Sequence, residues 1–285
     1  MKKISISFLS PKKIELHGLW LGKSHAEIVY IFLHGLGASI FSRLSLLELI
    51  ANQKNTAVLT FNNRGHGLIN SFKIKKNKKE CDYLLAGMAH EKFTDCQDDI
   101  DGSISYAKKQ GAKKIILIGH STGCQKIIYY LAHNQRAKIA GVILLAPMSD
   151  YAGIDKEKNE YHLALKAALS LKKEGQENNL LASSLWPHYI SAQRFLSLYT
   201  PNSQEEIFSY ASKKRPILMK VNQPILVILA EADEYADRPM LEIKNWFDSV
   251  LNKKKKNESI IIKKASHSFK GMDREVFKII KFWRG

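Results

Sequence analysis

A serine between two glycines is the most reactive pattern in this chain of 285 residues. The segment Gly119-His120-Ser121-Thr122-Gly123 follows an apolar run at 115–118 and precedes a pattern typical of a helix over 125–134. A serine hydroxyl becomes an effective nucleophile when a base accepts its proton and nearby N–H groups stabilise the oxyanion that forms. A sharp turn from a strand into a helix exposes the serine and points the free N–H groups of the helix toward it. The segment therefore predicts a nucleophile elbow with Ser121 at its tip.

A histidine late in the chain is the natural base for Ser121. In an open parallel sheet, reactive groups gather at the carboxyl ends of the strands, so the base is expected in a loop that follows a strand. Of the ten histidines, His267 follows the last predicted strand, at 259–262. We therefore predict that His267 accepts the proton of Ser121.

Four carboxylates that could orient the ring of His267 follow the strand predicted at 225–229; they are Glu231, Asp233, Glu234 and Asp237. Asp233 lies where the tip of the turn is expected. Asp237 precedes Arg238-Pro239 and is expected to cap the following helix instead. We predict Asp233 as the acid of the site, and Glu231 and Glu234 remain alternatives.

Strand and helix patterns alternate along most of the chain. Strands are predicted over 4–9, 13–21, 27–33, 56–61, 115–118, 141–145, 225–229 and 259–262. Helices are predicted over 41–53, 92–109, 125–134, 161–172, 190–198, 205–211, 239–251 and 274–283. This alternation predicts an α/β fold with a mostly parallel central sheet and helices on both faces.

Residues 149–221 interrupt the alternation, because they contain helical patterns and no clear buried strand. We predict a core domain formed by residues 1–148 and 222–285, with a helical cap or lid inserted at 149–221. The aromatic side chains of this insertion either line an apolar substrate pocket or form a small core of their own, and for any single one packing is favoured. They are Trp186, Tyr189, Phe195, Tyr199, Phe208 and Tyr210.

Composition narrows the class of protein. No apolar run approaches the roughly 18 residues of a membrane span, and the N-terminal segment predicts an amphipathic strand, not a signal peptide. The three cysteines, Cys81, Cys96 and Cys124, form no C-x-x-C pair, so neither a disulfide framework nor a metal site is expected. We expect a cytoplasmic protein without a cofactor.

The formal net charge of +17 resides partly in lysine clusters at 73–79, 213–215 and 253–256. Such clusters can attract polyanions or acidic membranes, or they can be solvated loops and helix ends. Aromatic residues do not alternate with these lysines at stacking spacing. We therefore do not expect nucleic-acid binding, and contact with an acidic membrane surface is the weaker alternative.

These motifs together resemble the α/β-hydrolase superfamily. The resemblance rests on the elbow at 119–123, on His34-Gly35-Leu36-Gly37 as the oxyanion loop, and on the chain order of serine, acid and histidine. Asn63-Arg64-Gly65-His66-Gly67 occupies the place of a turn that often begins with aspartate in that superfamily. Segments 91–96, 119–126, 146–150 and 233–235 are similar to a subgroup that includes fungal esterases acting on hydroxamate siderophore esters.

The resemblance implies acyl transfer by Ser121, His267 and Asp233, with an oxyanion hole formed by the backbone N–H groups of Thr122 and of Leu36 or Gly35. It implies a hydrolase of carboxylic esters whose substrate is small to medium and partly apolar. A lysophospholipase or thioesterase is the alternative enzyme, and a non-catalytic binding protein of the same fold is the alternative of another class. His34 and His120, within backbone-shaping motifs, are expected to be packed and hydrogen-bonded.

Overall fold

A computed structural model describes residues 1–77, 79–212, 215–251 and 256–283. The strands are β1 (Lys3–Leu9), β2 (Glu15–Gly22), β3 (Ile28–Leu33), β4 (Thr56–Phe61), β5 (Asn70–Lys75), β6 (Cys81–Ala86), β7 (Lys114–His120), β8 (Gly141–Leu145), β9 (Ile225–Ala230) and β10 (Glu258–Ile262). The α-helices are α1 (Leu44–Ala51), α2 (Cys96–Lys109), α3 (Thr122–His133), α4 (Asn159–Lys173), α5 (Ala192–Tyr199), α6 (Met240–Val250) and α7 (Asp273–Phe282).

The main sheet has the strand order β1-β2-β4-β3-β7-β8-β9-β10. β1 pairs with β2 and β2 pairs with β4 in antiparallel fashion, and every other neighbouring pair is parallel. Helices cover both faces, as the predicted α/β fold requires, and that prediction is confirmed. The inner strands β4, β8 and β9 are buried along their whole length, which explains their uninterrupted apolar sequences.

Two apolar layers lie on opposite faces of the sheet because successive side chains of a strand point in opposite directions. On β7, Leu117 packs into the layer that contains residues of α2, α3 and α6. Its neighbours Ile116 and Ile118 pack into the layer that contains residues of α1 and α7. The alternation places α3, which follows the elbow, on one face, with the reactive edge at the carboxyl end of β7.

The hairpin formed by β5 and β6 was not predicted from the sequence. It forms a separate two-stranded sheet, and the end of its first strand overlaps the start of the lysine-rich cluster at 73–79. Only Phe72 and Ala86 are buried in its two strands, so neither strand carries a strong alternating pattern. Of the lysine clusters, residues 78, 213–214 and 253–255 lie outside the described residues.

The prediction of a helix at 205–211 is wrong, because this segment forms bends and turns. Its backbone N–H groups form short-range bonds, from Ile207 to the Glu205 carbonyl at 2.8 Å and from Tyr210 to the Phe208 carbonyl at 2.9 Å. The hydroxyl of Ser149 donates to the Glu206 carboxylate at 2.8 Å. These side-chain partners hold the segment against the body of the protein and override its local helical pattern.

Helices α4 and α5 lie between β8 and β9, where the cap was predicted. Trp186, Phe195 and Tyr199 pack against one another with ring centroids 5.0 to 5.3 Å apart, within an apolar cluster that the two helices build. Phe208 and Tyr210 instead pack against Phe247 and Trp246 of α6. Most of the aromatic residues singled out in this region therefore serve packing, as favoured above, whereas Tyr189 is exposed.

Nowhere in the described ranges does a helix combine the length and apolarity needed to cross a membrane. In the same part of the chain, no three His, Cys, Asp or Glu side chains come together as metal ligands would, and Cys81, Cys96 and Cys124 carry free thiols.

Arg64 binds the N-terminal part of α2 through two buried carboxylates. Its Nε donates to Asp99 at 2.7 Å and its Nη2 donates to Asp98 at 2.7 Å. All three side chains are almost fully buried. Buried charges lose their hydration, so each depends on its partner.

We expect Arg64→Ala to lower the free energy of unfolding by about 3–5 kcal/mol, because it leaves two buried carboxylates without their cation. Urea-induced unfolding at pH 7 measures the change. The exposed Arg136→Ala serves as the control and should differ from the wild type by no more than about 0.5 kcal/mol. Equal losses in the two variants would contradict the importance of the buried pairs.

Candidate active site

Ser121 occupies a strained position between β7 and α3. Its backbone has φ 55° and ψ −128°, a combination that a residue with a side chain rarely adopts. Both flanking glycines are required sterically, because a Cβ at Gly119 would lie 2.7 Å from the Cys124 nitrogen and one at Gly123 would lie 2.2 Å from the Leu33 carbonyl oxygen. The structure thus forms the sharp turn that the sequence predicts, with Ser121 at its tip.

The oxyanion loop predicted at residues 34–37 lies directly beside the serine. A Cβ at Gly35 would come within 2.9 Å of the Ser121 Cβ and 3.4 Å of its Oγ, so only a glycine permits this approach. Thr122 is the first residue of α3, and its N–H has no acceptor inside the helix. Throughout the described residues, neither the Thr122 N–H nor the Leu36 N–H donates to a protein group, so both remain available to an anion.

His34 is a buried structural residue of this loop. Its Nδ1 donates to the Gly35 carbonyl at 2.9 Å, and its Nε2 accepts from the Asn63 N–H at 3.2 Å, which assigns the neutral tautomer. Burial, with a smaller effect of Lys126, lowers the pKa of His34 to about 3. His34 therefore remains a neutral, hydrogen-bonded imidazole at neutral pH, as its place in the motif predicts.

His267 and Asp233 are in direct contact. The Nδ1 atom of His267 lies 2.8 Å and 3.0 Å from the two carboxylate oxygens of Asp233, whose side chain is completely buried. Asp233 also accepts the Tyr235 N–H at 3.0 Å, so its orientation is set by two donors. Since Nδ1 faces the carboxylate, Nε2 is the ring nitrogen that remains for a substrate or a nucleophile.

The alternative carboxylates have other partners. Glu234 accepts the backbone N–H of His267 at 2.9 Å, and this bond lowers the pKa of the Glu234 carboxyl. Glu231 accepts the Lys264 N–H at 2.8 Å. Asp237 pairs with Arg238, and the cap of α6 is Pro239 without a side-chain bond. The prediction that Asp237 caps this helix is therefore wrong, because the neighbouring guanidinium is the stronger partner.

The loop that carries His267 is attached to the elbow through His120. The His120 Nε2 donates to the His267 carbonyl oxygen at 2.9 Å, and the two rings lie 5.2 Å apart. Burial, and next the nearby His267, lower the pKa of His120 to about 3, so it stays neutral as a packed donor. No hydrogen bond between Ser121 Oγ and the His267 ring is formed among the described residues. Catalytic bonds of this kind are often long before substrate binds.

A chain of buried charges, which the sequence analysis did not identify, links helix α3 to helix α5. Lys126 on α3 contacts Glu91 at 2.5 Å, and Arg194 on α5 contacts the same carboxylate at 3.3 Å. Arg194 also pairs with Glu205, and Lys126 donates to Asn63 at 2.9 Å. Burial would raise the pKa of Glu91, but the two cations outweigh it and hold that pKa below its usual value. Lys126, a lysine within the mostly apolar sequence of α3, was the feature of the sequence that could have indicated a buried ion pair.

A large cavity of about 1260 Å³ lies between the β5–β6 hairpin and helices α4 and α5. Leu84, Leu165 and Leu196 are among its lining residues, together with polar groups such as Gln193. Ser121, Asp233 and His267 are not among the lining residues of this cavity. The cavity is therefore separate from the candidate active site.

The fold is that of the α/β-hydrolase superfamily, as the sequence motifs predict. Siderophore hydrolase EstB from Aspergillus fumigatus superposes with a TM-score of 0.62 at 19% identity, over 94% of this chain and 95% of that one. Residues 85–281 match the family described as a protein of unknown function (DUF1749), and the chain belongs to that family.

Two curated relatives are similar over part of their length. Fusarinine C esterase sidJ of Aspergillus fumigatus is 28% identical over 129 residues, which cover 32% of this chain and 36% of the relative. A Mycoplasma pneumoniae protein whose name places it among esterases and lipases is 24% identical over 183 residues, covering 61% of this chain and 64% of the relative. The matches thus span about a third and just under two thirds of these relatives, and the resemblance to fungal siderophore esterases is confirmed as a similarity.

His34 should make folding stability sensitive to acid. Its pKa is lowered to about 3 in the folded state, so only the unfolded chain takes up its proton between pH 6.5 and 3. Stability therefore falls as the pH drops through this window, by about 2 kcal/mol between pH 7 and pH 5 for this one group.

The variant His34→Gln lacks this proton uptake. The difference in free energy of unfolding between the wild type and this variant should therefore decrease by about 2 kcal/mol from pH 7 to pH 5. Urea titrations of both proteins at the two pH values measure it. A gap that is constant with pH would show that His34 is not buried in the neutral form.

Proposed function

We propose that the protein is a serine hydrolase that cleaves carboxylic esters through an acyl-enzyme, with Ser121 as nucleophile, His267 as base and Asp233 as the orienting acid. The observation that carries the proposal is the contact between His267 Nδ1 and Asp233 at the sheet edge that also bears the strained Ser121. The names of the esterase relatives agree with this activity.

In the first half of the reaction, Ser121 Oγ attacks the ester carbonyl while His267 Nε2 takes its proton. Asp233 stabilises the imidazolium that forms, because its carboxylate contacts Nδ1. The negative charge on the former carbonyl oxygen is received by the N–H groups of Thr122 and of Leu36 or Gly35. His267 then returns the proton to the leaving alcohol as the carbon–oxygen bond breaks.

In the second half, water releases the acyl group. His267 Nε2 removes a proton from the water, whose oxygen attacks the acyl carbon, and the same oxyanion hole receives the charge. Collapse of the intermediate breaks the bond to Ser121 Oγ, which recovers the proton from His267. The enzyme is regenerated, and no cofactor takes part in these steps.

We assign residues 149–221 the role of a cap that limits the substrate to a small or medium, partly apolar ester. Arg194 of this segment pairs with Glu91, and Glu91 also pairs with Lys126 on the helix that follows the nucleophile. Specificity in such a fold resides in inserted segments and not in the shared core.

The nucleophile is tested with a fluorophosphonate probe, which reacts with activated serines. The wild type should be labelled and Ser121→Ala should not, because the modified oxygen is removed. Exposed Ser170→Ala is the matched control and should be labelled like the wild type. Folded wild-type protein that resists the probe would favour a non-catalytic binding protein.

His267→Ala should reduce ester turnover by about 10²–10⁴-fold through loss of the base.

The acyl preference is tested with p-nitrophenyl esters from acetyl to palmitoyl. We expect kcat/KM to be highest for short and medium chains and to fall for palmitoyl, because the cap restricts the space beside Ser121. A maximum at long chains that weakens with added salt would instead support a lysophospholipase or thioesterase that uses the basic surface.

A further inference from the structure

Asp150 lies between the two loops that carry the candidate catalytic residues. It follows β8, and β8 is flanked in the sheet by β7, which leads into Ser121, and by β9, which leads to Asp233. Loops at the carboxyl ends of neighbouring parallel strands share one edge of the sheet. The mechanism proposed above gives Asp150 no role, although it stands in the centre of that edge.

Gln125 holds Asp150 in a defined orientation. Its Nε2 donates to the Asp150 Oδ2 at 2.7 Å. Because the amide nitrogen must face the carboxylate, the direction of the amide is determined. The Oε1 atom of Gln125 is then left beside Asp150, and this buried oxygen has no partner among the described residues. Gln125 itself is 1% exposed. Buried acceptors without a donor are uncommon and require an explanation.

Asp150 has no cation of its own among the nearby buried charges. The two cations, Lys126 and Arg194, already pair with two other carboxylates, those of Glu91 and Glu205. No ion pair formed within the described ranges includes Asp150. Burial, and next the nearby Glu205, raise the pKa of Asp150 to about 6, whereas Gln125, Arg194 and His267 act in the opposite direction. At neutral pH the group is therefore ionised and lacks a cation in contact.

Asp150 is also partly accessible. Its burial is intermediate, as is that of Tyr199. Burial raises the pKa of the Tyr199 phenol at the end of α5, and the charge of Asp150 adds to this effect, so the two groups are close. A ligand therefore reaches Asp150 first, and the buried oxygen of Gln125 lies next to it.

We propose that Asp150 and Gln125 form a subsite that binds an ammonium group of the substrate, so that the preferred esters carry a primary amine a few atoms from the scissile carbonyl. A primary ammonium supplies three N–H donors and one positive charge. It therefore satisfies the Asp150 carboxylate, the free Oε1 of Gln125 and the missing charge together. A neutral hydroxyl would donate to one of these acceptors and would leave the negative charge of Asp150 without a cation.

The position of Gln125 along α3 sets the expected scale of such a substrate. Gln125 lies four residues beyond Ser121, so their Cα atoms are separated by about 6 Å along the helix axis at a rise of about 1.5 Å per residue. An amine three to six bonds from the reacting carbonyl carbon spans that length. This inference rests on the proposed ester hydrolysis for its reaction, but the binding of the ammonium group can be measured without it.

The first experiment compares pairs of 4-methylumbelliferyl esters that differ in one group. The pairs are 3-aminopropanoyl with butanoyl and 6-aminohexanoyl with heptanoyl. For at least one pair, the wild type should prefer the amine by about tenfold or more in kcat/KM, as expected for a hydrogen-bonded charge. Asp150→Asn should bring this ratio to about one, and the exposed Asp155→Asn, the matched control, should keep it.

A second experiment reads the subsite without catalysis. The melting temperature of Ser121→Ala is measured with n-pentylammonium chloride and, separately, with n-pentanol at equal ionic strength. The ammonium compound should raise it and the alcohol should not, and the additional variant Asp150→Asn should abolish the increase. Ser121-dependent hydrolysis without an ammonium preference, or stabilisation that survives Asp150→Asn, would overturn the subsite alone. Ammonium binding in a protein that cleaves none of the esters would overturn the proposed hydrolysis alone.

Discussion

Helix α3 lies so close to the end of β3 that a Cβ at Gly123 would come within 2.2 Å of the Leu33 carbonyl oxygen. This approach forces Ser121 into its positive φ and brings Gly35 against it, so the nucleophile and the oxyanion loop are positioned by one contact. The strain, on the order of 1–3 kcal/mol, persists because the buried sheet on both sides of the turn opposes its relaxation. The histidine loop is then attached to the same elbow through His120.

The buried charges explain how helices α4 and α5, which share a small apolar cluster of their own, are held in one position. Lys126, Glu91, Arg194 and Glu205 are each about 1% exposed or less, so every one of them has lost its water. Such groups add little net stability, but separating any pair leaves a buried ion unpaired. A shift of α5 would separate Arg194 from Glu91, and this requirement favours the observed packing. Asp150, which remains outside these pairs, is the exception on which the subsite proposal is based.

The parts of the fold that the sequence predicted well are those whose burial leaves a local pattern. The strands at 56–61 and 141–145 are buried on both faces, and their predicted bounds agree with β4 and β8. The β5–β6 hairpin was not predicted because its mostly exposed strands carry no such pattern. The prediction of a helix at 205–211 was wrong for a different reason. Glu205 and Glu206 bind Arg194 and Ser149, which lie elsewhere in the chain, and these contacts override the local helical pattern.

By itself, the sequence determined the α/β fold class, the position of the elbow and the choice of Asp233 and His267 as candidates, because glycine spacing, strand order and loop position are properties of the chain. Only the tertiary structure decided which groups are paired. Burial makes His34 and His120 neutral donors, and it leaves Gln125 and Asp150 as acceptors without a cation. Desolvation and partner geometry arise from residues far apart in the chain, so no local pattern contains them.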